Sequence, residues 1–85
     1  MADWVEEHVE SVIRLIASGI RTSKTRQQFE PVDADELIAR LKENGGFGEM
    51  MHHVTNTPEF TMRSMWAASP TAIQTLKDMR AEKNA

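Results

Sequence analysis

The chain predicts an all-α fold, a single domain over residues 1–85 with about five helices. Three observations point there. Apolar residues recur at steps of three and four, the period that stacks side chains on one helix face. Helix-starting grammar (a short polar cap followed by proline or an acid) appears repeatedly along the chain. No run of alternating β-branched residues suggests a strand.

The first helix is expected to be the longest and central, with the four shorter ones packed over its stripe. Val5, Val9, Val12, Ile13, Ile16 and Ile20 form one stripe, with Glu6, Glu7, Glu10 and Arg14 on the polar side. Asp3 and Glu6 have the spacing of a capping box. Gly19 lies close to the stripe and suits the approach of a neighbouring backbone. Trp4, His8 and Leu15 make a second, weaker apolar edge. That edge either meets the remainder of the domain or faces a partner. The polar, net-positive stretch 21–28 follows, with Phe29 off the stripe, and reads as a solvated helix end or a connector.

Pro31 breaks the chain. Asp33 then caps a second helix, with Glu36 completing a box and Val32 placed to staple onto Leu37. Leu37, Ile38 and Leu41 face inward, and Arg40, Lys42 and Glu43 face water. Asn44-Gly45-Gly46 ends the helix, Gly45 suiting a left-handed residue. Gly46-Phe47-Gly48 reads as a short, mobile joint. A third helix is expected from about Glu49 to Val54, with Phe47, Met50, Met51 and Val54 inward and Asn56 as terminator. Thr57-Pro58-Glu59 reads as the start of a fourth helix carrying Phe60, Met62, Met65 and Trp66. Ser69-Pro70 starts a fifth with Ala72, Ile73, Leu76 and Met79 inward and Lys77, Arg80 and Lys83 outward. Residues 82–85 are expected to fray.

Composition narrows the function. At 85 residues there is room for a core but little for a deep active site. The net charge of −3 does not favour nucleic acid as a partner of the whole surface. Without cysteine, disulfides, thiolate metal sites and thiol catalysis are excluded. The first residues are acidic where a signal peptide would be basic, and no apolar run reaches membrane-spanning length. The expected setting is therefore the cytoplasm, with no membrane partner.

Glu49, His52 and His53 share a helix side at ligand spacing, but a metal needs further ligands that the sequence does not supply, so no metal or other cofactor is assigned. No serine or threonine is paired in sequence with a base and an orienting acid, so no catalytic residue is assigned and the chain reads as non-enzymatic. Methionine is concentrated in the second half. Its thioether adapts to different apolar partners and equally fills gaps in a core.

The function expected from these residues is a small protein-interaction module, a regulator or adaptor that binds another protein. Its candidate partner-binding residues are Trp4, His8, Leu15, Phe47, Met51, Met62 and Trp66. A homodimer is a further expectation. The alternative is a DNA-binding regulator whose third and fourth helices form a helix–turn–helix, with Thr57, Thr61, Arg63 and Ser64 at the nucleic acid. Arg63, Lys77, Arg80 and Lys83 would supply its basic patch.

Overall fold

The computed structural model describes residues 3–19, 30–57 and 61–84, without the side chains of Asp3, Met62 and Arg63. Over these residues the fold is all-α. The helices are α1 (Asp3–Ala17), α2 (Ala34–Asn44), α3 (Gly46–Asn56), α4 (Met62–Ala67) and α5 (Pro70–Lys83), and no strand occurs among the described residues. Ile20, residues 21–29 and Pro58, Glu59 and Phe60 lie outside them, as does the side chain of the Asp3 cap.

The α1 stripe is buried as the spacing requires: Val5, Val9, Val12, Ile13 and Ala17 belong to the core, and Ile16 packs against it. The helix stops earlier than the stripe suggests. Gly19 takes a left-handed φ of 78° and donates its N–H to the Ile16 carbonyl at 3.1 Å. It is thus a terminator, because this backbone conformation suits a residue without a Cβ. The Ala17 carbonyl, left over at the helix end, accepts from Val32 N–H at 2.8 Å, so the chain entering α2 closes the end of α1.

The α2–α3 pair, rather than α1 as the sequence suggests, lies at the centre of the packing, and α4 and α5 do not pack mainly over the α1 stripe. α1 packs mainly on α2 and α3, α5 packs on both as well, and α4 bridges α3 and α5. The α2 stripe of Leu37, Ile38 and Leu41 is buried, and Asp33 Oδ1 accepts from Glu36 N–H at 3.0 Å. Only that half of the expected box forms, because the Glu36 carboxylate turns to Arg40 at 3.2 Å. Gly45 ends α2 with φ 88°.

The Gly46-Phe47-Gly48 stretch is the first turn of α3, not a mobile joint. Gly46 N–H donates to Asn44 Oδ1 at 3.0 Å, while Asn44 Nδ2 donates to Thr75 Oγ1 at 2.8 Å. A Cβ on Gly46 would stand 2.8 Å from Leu41 Cδ2 and 3.3 Å from the Ala72 backbone nitrogen. The start of α5 approaches this close because Gly46 has no side chain. Ser69 is fully buried there. Its hydroxyl accepts from Ala72 N–H at 3.2 Å and reaches the Gly46 carbonyl at 3.3 Å. One side chain thus caps α5 and ties it to α3.

Two further boundaries differ from the sequence reading. Thr57 is the C-cap of α3, and α4 begins after Thr61 rather than at Pro58. Thr61 Oγ1 accepts from Ser64 N–H at 3.1 Å, and Thr61 N–H donates to Ser64 Oγ at 2.8 Å. This reciprocal box sets the boundary. At the other end α5 stays helical through Glu82 and Lys83 rather than fraying. Arg40 holds Glu82 through two hydrogen bonds of 2.7 and 2.8 Å, and Lys83 Nζ donates to the Pro31 carbonyl at 2.7 Å.

Candidate functional site

A helix repeats every 3.6 residues, so Trp4, His8, Ser11 and Leu15 fall within one narrow strip of α1. That strip is turned by about 130° from the centre of the buried stripe. All of its members are exposed. Trp4 keeps 58% of its surface in contact with solvent and Leu15 36%, and these are the large apolar side chains left exposed among the described residues. The edge is therefore distinct from the core face, and the described helices do not bury it.

The charges around α1 are divided between its flanks. On the side towards α2, Lys42 Nζ lies 3.3 Å from Glu10 and 3.5 Å from Glu6, and also 5.1 Å from the centre of the Phe47 ring. The Glu10 carboxylate, followed by Glu6, holds the Lys42 ammonium above its ordinary pKa. Arg14 pairs with Asp35 at 3.0 Å, with more than half of its side chain exposed. Glu7 is exposed and has no ion-pair partner among the described residues. Acids thus fill the first half of α1 and Arg14 stands in its last turn, as the helix dipole favours.

The remaining candidate residues are not gathered onto this edge. Phe47 is 5% exposed and belongs to the core, so it is withdrawn from the binding surface. Its place in the first turn of α3, against α2, buries it. Met51 and Trp66 are half-buried and pack against the core, and the Met62 side chain lies outside the described residues. Met50, Met65 and Met79 are core residues, so those methionines serve as filling.

The helix–turn–helix candidates are dispersed too. The Thr57 hydroxyl lies 3.3 Å from His53 Nδ1, and Thr61 and Ser64 bond to each other. The Arg63 side chain is outside the described residues. Of the proposed basic patch, Lys83 is turned to Glu30 at 3.7 Å and to Pro31.

Glu49, His52 and His53 do not converge. The Glu49 carboxylate accepts from Thr71 Oγ1 at 2.5 Å and Ser69 Oγ at 3.4 Å. The two histidines instead lie against Asn56 and Thr57, one turn further along α3. Glu49 thereby places a negative charge at the start of α5, where helix amides are unpaired.

A cleft of about 260 Å³ lies between α2 and α5, lined by Val32, Glu36, Arg40, Met79, Glu82 and Lys83. It is smaller than the usual small-molecule site of about 300–1,000 Å³. The Arg40 guanidinium, raised above its ordinary pKa by Glu82 and then Glu36, stays charged. It holds the Glu82 carboxyl below the ordinary carboxylate value. Sequence reading missed this pair, because its partners are 42 residues apart and nothing local links them.

No family model matches the chain, and neither the curated proteins nor the solved structures give a match. No described helix is long and apolar enough to cross a membrane.

Proposed function

We propose that the chain is a non-enzymatic protein-interaction module, a small regulator or adaptor whose working surface is the outer edge of α1. The observation that supports this is the placement of Trp4 and Leu15. They are exposed on one strip, while the other large apolar side chains described, Ile73 of α5 included, are buried or half-buried. An indole left in water at an interface contributes strongly when it is covered, because it combines a large apolar area with a polar N–H. Action in the cytoplasm, where a cysteine-free chain needs no oxidising compartment, belongs to the same proposal.

The alternative of DNA binding through α3 and α4 is less well supported by the geometry. A six-residue α4 is about 9 Å long, short for a recognition helix laid in a major groove. The hydroxyls of Thr61 and Ser64 are also occupied with each other.

Affinity capture from source-cell lysate, with and without nuclease, tests both readings. The expected result is recovery of protein that survives nuclease and is lost with Trp4→Ala, while the variant melts at the parent temperature. Recovery that collapses on nuclease treatment and depends on Arg63 would instead favour the DNA reading.

A further inference from the structure

Resting on that reading of the edge, we propose that its occupant is α1 of a second copy of this chain, laid antiparallel about a two-fold axis. The strip Trp4, His8, Ser11, Leu15 advances by four, three and four residues, which is the seam spacing of a two-helix coiled coil. One flank of that seam carries Val5 and Val12, both buried in the domain's own core. The other carries Glu7 and Arg14, both exposed.

The charge pattern selects the orientation and the partner. In an antiparallel pair the outer flank of one copy meets the outer flank of the other. Glu7 of each copy then stands beside Arg14 of the other, and the two-fold axis forms this ion pair twice. Trp4 packs over Leu15 of the other copy, and His8 lies across from Ser11. Trp4 and Leu15 are separated by about 16 Å along the helix, so the contacts fall symmetrically about the middle of α1.

A parallel pair fails on the same residues. It would set the Glu7/Arg14 flank of each copy against the Val5/Val12 flank of the other, so neither charge would gain an ion-pair partner there. It would also bring the acidic halves of both helices together. Arg14 can serve two carboxylates, since it reaches Asp35 through Nη2 and a guanidinium has donors to spare. A seam of one short helix buries less than the usual 1,200–2,000 Å², so the dimer is weak, with a dissociation constant on the order of micromolar.

Sedimentation velocity of the purified protein over a concentration series tests the proposal. A monomer–dimer equilibrium is expected, and Trp4→Ala should weaken it at least about tenfold, more than a kilocalorie of lost contact. Glu7→Arg and Arg14→Glu should each weaken it, and the double exchange should restore it. Melting temperatures taken alongside separate loss of association from loss of the Arg14–Asp35 pair.

The absence of cysteine gives a direct test of orientation. A mixture of His8→Cys and Ser11→Cys copies should form the mixed disulfide faster than either forms its own. Faster like-with-like disulfides would overturn the antiparallel arrangement. A monomer at every concentration would overturn the dimer, and capture of another protein dependent on Trp4 would then leave the interaction module standing. A dimer indifferent to Trp4, Glu7 and Arg14 would overturn the proposed surface.

Discussion

The inner and outer apolar edges of α1 start from similar residues and end in opposite environments. Val5, Val9, Val12, Ile13 and Ala17 on the inner edge are nearly closed to water, whereas Trp4 and Leu15 on the outer edge are open to it. The inner edge is continuous, so successive turns present adjoining methyl groups that α2 and α3 can cover together. The outer edge is interrupted by His8 and Ser11, whose polar groups would need partners if the domain buried them. Hydrophobic side chains at helical spacing therefore mark a face that can be covered. The density of the stripe is what separates the face covered by the domain itself from the face that stays exposed.

The largest expected effect breaks the inner edge. Ile13→Ala removes a fully buried side chain and should destabilise the domain by about 2–5 kcal/mol, measured by urea unfolding. A loss no larger than that of Trp4→Ala would erase the distinction between the edges.

Ser69→Ala should come next, at about 1–2 kcal/mol, because it leaves the Ala72 N–H without its cap inside the junction of α3 and α5. Urea unfolding of this variant also shows whether the buried side of the molecule depends on polar ties as well as methyl groups.

A smaller effect follows from pH. Glu82 titrates below its ordinary value of 4.5 in the folded chain, so between the two values the unfolded chain binds more protons. Stability from the Arg40 pair is therefore present above that range and declines as acid carries the pH down through it. Glu82→Gln should flatten this part of a thermal-melting profile. Lys42, raised by Glu10 and Glu6, acts at the other end, its contribution declining as the pH rises past its ordinary value of 10.5.

The smallest stability effect is expected on the outer edge. Trp4→Ala should change unfolding free energy by no more than about 0.5 kcal/mol, as for other exposed substitutions, while removing association. A large loss of stability would show that Trp4 belongs to the fold.

The second helix was the most legible element. The Asp33 cap, the Leu37–Ile38–Leu41 stripe and the left-handed Gly45 all act within a few residues of one another, so sequence spacing specifies them. The fourth was the least. Thr57-Pro58-Glu59 carries starting grammar, whereas α4 starts after Thr61, where the reciprocal box with Ser64 sets the boundary. The candidate surface divides in the same way. Trp4, His8 and Leu15 are grouped by helical period alone, whereas the burial of Phe47 depends on α2 lying across the first turn of α3.

The sequence by itself determined that the chain is helical, the buried faces of α1 and α2 and the existence of two apolar edges on α1. These follow from periodicity and capping, which operate over three or four residues. The face of α5 differs from its expected stripe: it buries Thr75 with Ala72, Leu76 and Met79 and leaves Ile73 half-buried. Tertiary structure decided what closes the end of α1, where the Val32 N–H meets the Ala17 carbonyl. It also decided that Ser69 joins α3 to α5 and that Arg40 anchors Glu82. Each of these contacts joins residues far apart in the chain. Such pairs leave no local pattern, because their geometry exists only once the helices have packed.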